Sequence, residues 1–559
     1  MEIHDTFSEQ YKDCLDGVYD CVDRVVVNAH FTFAQSPGGF RTWWRILMGN
    51  DDQLDNARVM RFAGRFSRRI RAYAQKEGIP LIRCKQLERK HELAEEYIPE
   101  DPGFCGLFCI LVSRAPGSVF DIRRFSNGAI RIEKKTPPSY VNLYYFHIMD
   151  PEWGHVTIRF CPHPPFNAQI ILNGHEYVAI AARKQNIGFV KEGNCFTQVS
   201  DAAGLARVAD AMIRPSGETD EGRLVQVCER WIYSTCLCFA LDLAEQERTG
   251  FRYSYSVYQA EYSRNLLFES GHIMDQVFES VIDRTRAALD IKTVKTIFGR
   301  KDRPHRKGAN GKGPRFEVAV ERPDYNLTVL RVHFGKLTVR IYSKGERVLR
   351  IEVVAHNTRA LGCGKVIERF PRIIESLKVI VERCLSVLRS VDVSFIDAGT
   401  MEAWPQPSQL GSSRIGGIDI NQPRMRAVME AVIALSMNPR GFTASELAAK
   451  VKEIIPGIDY QPRQASYDLK KLRAKGLVRR TDHSRRYQAT TDGLRSITAF
   501  TTLWDKVLLP LLANPGNSHT GPKPSNPYDI DTHYRNIQME MYKIFTHFNI
   551  GVTSTTFCR

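Results

Sequence analysis

The hydrophobic positions of the chain change period several times, and each change marks an element. Val59, Phe62, Phe66, Ile70 and Tyr73 recur at helical spacing, which predicts a long amphipathic helix over 57–76. Arg61, Arg65, Arg68 and Arg69 fall mostly off that stripe and give the helix a basic face. Ahead of it, 24–33 reads as a strand closed by the Pro37-Gly38-Gly39 turn. After Pro102-Gly103 the spacing shortens to that of strands at 107–112, 119–124 and 129–133. The last two are joined across Asn127-Gly128, a dipeptide that suits the positive φ of a tight hairpin. Further strands at 143–149, 155–160 and 168–172 follow, and a helix begins near His175. Residues 1–220 are therefore expected to form an N-terminal mixed α/β domain.

The middle of the chain reads as an apolar helix over 224–246, a strand over 253–268 rich in aromatic and β-branched residues, and a helix over 271–290. A Gly-rich basic loop at 299–315 carries Arg300, Lys301, Arg303, Arg306 and Lys307. The clearest alternation lies beyond it, in an antiparallel β-meander of strands at 316–321, 326–333, 336–342 and 347–354. Leu337, Val339 and Ile341 share one face with Leu349, Ile351 and Val353, so Arg340, Tyr342, Arg350 and Glu352 point the other way. A helix over 370–388 offers Ile373, Ile374, Leu377, Ile380, Val381, Cys384 and Leu385 to cover the apolar face, and the polar face is expected to remain available. The whole of 221–402 is read as a central α+β domain, followed by a Pro-, Gly- and Ser-rich linker at 403–423.

Residues 424–513 carry the most specific pattern, that of a winged helix. Val428, Val432 and Leu435 mark a first helix, and Thr443 with Glu446 forms a capping box opening a second. Pro462 suits the first position of a third helix, which Gly476 ends. Strands at 477–480 and 485–489 then make the wing. In the third helix Ala465, Leu469 and Leu472 face the core, leaving Arg463, Gln464, Tyr467, Lys470 and Lys471 for bases or phosphates in a major groove. Arg485 and Arg486 on the wing would meet the adjacent backbone. Residues 514–559 read as a second linker and a short C-terminal helix. The fold class expected is α+β multidomain: a mixed α/β region, a central meander with covering helices, and a winged helix.

Composition narrows the class. With 43% hydrophobic and 25% charged residues the chain is an ordinary folded protein, which excludes wholesale disorder. The excess of 78 Lys+Arg over 62 Asp+Glu, a net +16, attracts polyanions, and nucleic acid, DNA or RNA, is the partner expected. The first residues lack the basic start and apolar run of a secretion signal, and no apolar stretch is long enough to span a bilayer. The 13 cysteines include no CxxC pair, consistent with reduced thiols and a cytoplasmic location without a membrane partner.

Candidate chemistry lies on the polar face of the meander. Glu352 is placed to bind a divalent ion such as Mg²⁺ or Mn²⁺ that clamps a phosphodiester, Arg350 to neutralise developing charge, and Lys344 or Tyr342 to assist. Glu261 supplies a second metal-ligating carboxylate if its strand adjoins that of Glu352. Structural pairing of Arg350 with Glu352 is the competing reading. Cys161, His163, His175 and Glu176 also cluster, but Cys-x-His with one distant His is not a zinc spacing. Phosphate-binding loops, dinucleotide fingerprints, nucleophile elbows and zincin motifs are missing, so the familiar enzyme classes gain no support.

Over nearly its whole length the chain resembles a large family of uncharacterised bacterial and metagenomic proteins. The strings that carry the resemblance are DPEWGHVTIRF from Asp150, LNGHEY from Leu172, YSVYQAEYS from Tyr255, YSKGERVLRIEVVAHN from Tyr342 and RQASYDLKKLRAKGLV from Arg463. It implies an architecture and a set of positions, but no reaction. The stretch from Tyr342 to Glu352 is also similar to strand motifs of replication initiators of filamentous-phage type. A nucleic-acid-binding protein is the first expectation; a metal-dependent nuclease or nicking initiator, or an RNA-partnered effector of a mobile element, are the alternatives.

Overall fold

A computed structural model describes residues 5–85, 88–213, 222–288, 294–298, 315–322, 327–392, 398–438, 440–481 and 484–509, with scattered positions elsewhere. The described residues up to Glu382 belong in the main to one compact unit and those from Arg383 onward to a second. The basic loop at 299–314 lies outside them, as does most of 514–559.

The first unit contains strands β1 (Leu15–His30), β2 (Leu81–Arg83), β3 (Gly106–Gly117), β4 (Phe120–Arg124), β5 (Ile130–Lys134), β6 (Ser139–Asp150), β7 (Gly154–Phe160) and β8 (Ala168–Asn173). It continues with β9 (Phe189–Lys191), β10 (Phe196–Val199), β11 (Ser254–Phe268), β12 (Val294–Phe298), β13 (Arg315–Arg322), β14 (Leu327–Phe334), β15 (Leu337–Lys344) and β16 (Val348–Ala355). Twelve of them form one sheet in the order β12-β13-β14-β15-β16-β11-β1-β8-β7-β6-β3-β2. The meander is thereby fused through β11 to the N-terminal strands. β2 runs parallel to β3, whereas β1, β11 and β16 are antiparallel neighbours.

β1 begins nine residues before the expected start, and its register on β11 slips between Val22 and Val25. There Asp23 and Arg24 oppose Glu261 alone, two residues against one, which is a β-bulge that re-aims a side chain. The helix Asn56–Glu77 forms as its stripe predicts: the Asp55 side chain caps it by accepting from Arg58 N at 2.7 Å, and Gly78 at φ 67° closes it. Phe66 of its buried face stacks on Phe160 at 5.2 Å and meets Tyr144 edge-on at 4.8 Å. Arg65 leaves the expected basic face, since it pairs with Glu245 at 2.8 Å and donates to Ala240 O.

Two expectations need correction. The continuous helix over 224–246 is instead a helix Arg223–Trp231, a π turn Ile232–Cys236, a 3-10 turn Leu237–Phe239 and a new helix Leu243–Thr249. Asp242 is the cause, because its side chain takes Glu245 N at 2.9 Å while Glu245 takes Asp242 N at 2.9 Å, and that capping box starts a helix where apolar periodicity alone would continue one. The polar face of the meander is not open either. All eight residues of β16 are buried, because the strand lies inside a twelve-stranded sheet covered on both sides.

The second unit places helices Pro423–Ser436, Ala444–Ile454 and Pro462–Ala474 ahead of the strands Val478–Arg480 and Tyr487–Ala489, which pair antiparallel, and the helix Thr491–Leu503. Val428, Val432, Leu447, Val451, Leu469, Leu472 and Phe500 are its core. Residues 403–423, read as a linker, include a small hairpin of Ser408–Leu410 with Ser413–Ile415.

On β6 and β7, His147 and His155 sit diagonally on one face with Nδ1 and Nε2 2.9 Å apart, so one ring must accept a hydrogen bond and stay neutral. Burial pushes His147 down to about 3 and His155 down to about 4. Unfolded, both take up protons near pH 6.5; the fold therefore holds its full advantage above that pH and loses it as pH falls towards 4. Urea unfolding at pH 7 and pH 5 should show the wild type losing about 2 kcal/mol more over that interval than His147→Gln, from one proton uptake integrated over the window. Equal losses in the two proteins would refute the assignment.

Candidate functional site

The described site residues expected from the sequence fall in two places, one inside the first unit and one on the surface of the second. The interior cluster starts from the β1 bulge. Asp23, 2% exposed, faces His175 Nδ1 at 3.1 Å, accepts from Ser263 Oγ at 3.0 Å and lies 3.7 Å from Arg350 Nη1. Arg350 is wholly buried, and its Nε donates to Asn265 Oδ1 at 2.7 Å. Its Nη2 donates to Asn194 O at 2.6 Å and meets His175 Nε2 at 3.3 Å. His175 comes from the first turn of the helix Gly174–Lys184, which Asn173 caps, and Asn194 from the turn between β9 and β10. These two elements supply the partners on the polar face of β16.

Strand register sets the rest. Arg350 is opposite Asn265 on one side and Tyr342 on the other, and Glu352 is opposite Ser263 and Arg340. Glu261, two residues from Ser263, shares that face and is diagonal to Glu352. The sequence-based adjacency of the two glutamates is therefore present. Burial, and then the neighbouring Glu352 charge, raises Glu261 to about 7, while burial raises Glu352 against the opposing pull of Arg340 at 3.2 Å. Burial would raise Asp23 as well, but the Arg350 guanidinium and the His175 hydrogen bond outweigh it and hold the carboxyl below its usual range. Lys344 is lowered by burial and by Arg350, and it donates to Asn194 Oδ1. Burial, with Glu352 adding to it, raises the Tyr342 hydroxyl.

The arrangement brings Glu352, Glu261, Arg350, Lys344 and Tyr342 to one face, as the alternation suggested, but encloses Arg350 and Glu352. Glu261 is partly open, with its Oε1 accepting from Gln259 at 2.5 Å. Among the described residues no group of three or more His, Cys, Asp or Glu is placed to hold a metal ion. His175 turns to Asp23 and Arg350 rather than to a zinc set with Cys161 and His163. Asp23, Asn265 and Ser263, which carry most of the contacts, were missed by sequence reasoning. Asp23 was detectable, as a carboxylate inside the run Val22 to Val27. Four of the five strings behind the family resemblance lie in this unit: Asp150 accepts from Trp153 N at 2.8 Å and from Arg230 at 2.6 Å, and Asn173, His175, Ser263 and Arg350 belong to the cluster.

On the second unit, the helix Pro462–Ala474 is held by its buried side. Tyr460 donates to the buried Asp468 at 2.9 Å, and Arg424 lies 3.6 Å from the same carboxylate. Arg463, Gln464, Tyr467 and Lys470 are exposed on the other side, while Lys471 is half-buried with its ammonium 5.3 Å above the Tyr467 ring. The Gln464 carbonyl is engaged by Gln461 N at 2.7 Å. On the hairpin Arg485 is exposed, but Arg486 is not free, as expected of it: it pairs with Glu446 at 3.1 Å and donates to Gly441 O at 3.0 Å. Arg479 and Arg480 are exposed and were overlooked, because a strand of three residues gives no alternation to read. Arg300, Lys301, Arg303, Arg306 and Lys307 lie outside the described residues.

Comparison with protein-family models, with curated proteins and with solved structures yields no match. No helix among the described residues is long and apolar enough to cross a membrane.

Arg350→Ala should destabilise the protein by roughly 3–5 kcal/mol, the cost of leaving Asp23 buried beside no guanidinium. The double variant with Asp23→Asn should recover part of that loss in urea titrations. Strict additivity of the two single effects would count against direct coupling.

Proposed function

We propose that the chain binds nucleic acid through its second unit, which acts as a winged helix with Pro462–Ala474 as the recognition helix. The order helix, helix, helix, hairpin, helix supports this reading, as does the bridge of Phe442 to Tyr487, which adds a third short strand to the hairpin. The observation that carries it is the row Arg463, Gln464, Tyr467 and Lys470, exposed on the side of the helix turned from its core. Such a helix reaches base edges with its first turn and phosphates along its length. Arg479, Arg480 and Arg485 would meet backbone on either side of the groove.

A second reading, a metal-dependent nuclease, draws on the convergence of Glu261 and Glu352 and on the partial opening at Glu261. Under it, Mg²⁺ or Mn²⁺ supports cleavage that Glu261→Gln abolishes and Lys470→Ala merely weakens through binding. The binding reading predicts retention without cleavage under either ion.

Anisotropy titrations of a labelled duplex between 50 and 200 mM salt test the first reading. Affinity should fall steeply with salt, and Lys470→Ala should reduce the slope of log K against log salt by about 1, one phosphate contact fewer. A slope untouched in the combined Arg463→Ala and Lys470→Ala variant would sink the recognition-helix assignment.

A further inference from the structure

The hairpin of β4 and β5 has one side fixed and the other bare. Phe120, Ile122 and Ile132 are buried, and the Phe120 ring is 4.5 Å from that of Phe40 on the helix Pro37–Met48. Asn56, the first residue of the next helix, reaches the same strand three times: its Nδ2 donates to Asp121 Oδ1 at 3.1 Å and to Ile122 O at 3.2 Å, and its Oδ1 accepts from Ile122 N at 2.9 Å. The turn is closed by Phe125 N donating to Ala129 O at 2.9 Å, with Gly128 at φ 79°. The hairpin is thus anchored at its base and closed by a hydrogen-bonded turn.

What the tip and outer side present is cationic and aromatic. Phe125 is 48% exposed at the turn, Arg123 and Arg131 are exposed on the outer face and Lys135 is exposed at its far end, whereas Lys134, opposite Phe120, belongs to the packed face. Arg123 pairs with Asp121 at 3.1 Å and Arg131 with Glu133 at 2.6 Å, each two residues away in its own strand. Exposed pairs of that kind contribute little, so their guanidiniums exchange readily to phosphate. Arg124 donates to Asp51 O, and the Asp51 carboxylate takes Arg41 at 2.8 Å and Arg45 at 2.5 Å, so further guanidiniums border the hairpin.

Burying one ring of the strand and exposing the other makes sense if the outer ring has its own partner. A polyanion of any kind satisfies the cations. The flat face of an exposed phenylalanine selects an unstacked base. We infer that the β4–β5 hairpin is a contact for single-stranded nucleic acid that runs along its outer face, in which Phe125 stacks on a base while Arg131 and Lys135 hold the backbone. The inference rests on the nucleic-acid reading but concerns a different surface from the recognition helix.

The test uses the full-length protein with labelled oligo-dT, a labelled duplex and poly-glutamate. All the substituted residues are exposed, so folding is expected to survive, and circular dichroism checks that it does. Phe125→Ala should weaken oligo-dT binding by about ten-fold, the loss of one stacked base, and leave the duplex within two-fold, while Phe125→Trp restores oligo-dT binding. The double variant Arg131→Ala, Lys135→Ala should lower the salt slope for oligo-dT by about 1.4, from two phosphate contacts on a single strand. If Phe125→Ala leaves oligo-dT unchanged while Lys470→Ala still weakens the duplex, the hairpin proposal is overturned and the recognition helix stands. The reverse pattern supports the hairpin and removes the recognition helix. Binding of poly-glutamate as tight as oligo-dT, indifferent to Phe125, also overturns the proposal, and failure to bind either oligonucleotide overturns both readings.

Discussion

Arg350 and Asp23 face each other in the middle of the sheet with almost no solvent, and the local architecture pairs most of their polar atoms while leaving Arg350 Nη1 and Asp23 Oδ2 without a hydrogen bond among the described residues. Taking either ion out of water costs several kcal/mol, and their mutual attraction offsets it only if the remaining lone pairs and protons find partners. Arg350 obtains them from Asn265, Asn194 O and His175 Nε2, and Asp23 from Ser263 and His175 Nδ1. Each partner dictates a piece of structure. Asn265 and Ser263 require β11 to lie against β16 in its observed register; His175 requires the helix Gly174–Lys184 to start above the sheet; Asn194 requires the β9–β10 turn to close over it. The bulge at Asp23 and Arg24 is the last condition, since without the extra residue the β1 side chain would follow regular alternation.

This cluster also accounts for why the meander and the N-terminal strands form one sheet rather than separate domains. β11 pairs with β16 on one edge and β1 on the other, and its polar face carries Glu261, Ser263 and Asn265 where a solvent-facing strand would carry charges at random. A central strand with polar residues on one face is stable only if that face is covered and its groups paired. Chemistry and stability are therefore in tension at Glu352 and Glu261. Both are carboxyls raised by burial, but only Glu261, pushed up to about 7 and so suited to proton transfer near neutral pH, is partly open to solvent.

Local periodicity revealed the elements and left their long-range pairing unread. The helix Asn56–Glu77 was predicted to within a residue at each end, and the four meander strands to within two, because apolar spacing and caps are short-range signals. The segment Arg223–Thr249 defeated the same reasoning where Asp242 and Glu245 cap a new helix inside an apolar stretch. Whether Arg350 and Glu352 face water depended on β11, β1 and the cover over them, all distant in sequence, and alternation within one strand cannot tell a solvated polar face from a buried paired one. The diagonal of Glu261 and Glu352 was expected conditionally and is present; Asp23, the residue that completes the cluster, is displaced from regular alternation by its bulge.

The net charge of +16 is informative only after the cations are sorted by what they already hold. Arg264 is locked between Asp20 and Asp5, Arg230 between Asp150 and Glu152, Arg65 on Glu245 and Arg486 on Glu446. Such residues would have to leave a shielded carboxylate unpaired to reach a phosphate, which makes them poor candidates whatever their charge. Arg463 and Lys470 are exposed and stand in no ion pair among the described residues, and Arg131 faces only a small penalty, because its carboxylate would remain hydrated when the guanidinium moved. On the proposed function, a polyanion would meet a field contributed by all the basic residues but would be held by the few whose existing partners cost least to give up. That difference separates long-range attraction from contact, and it is why the recognition helix and the β4–β5 hairpin, rather than the more deeply engaged arginines, carry the binding argument.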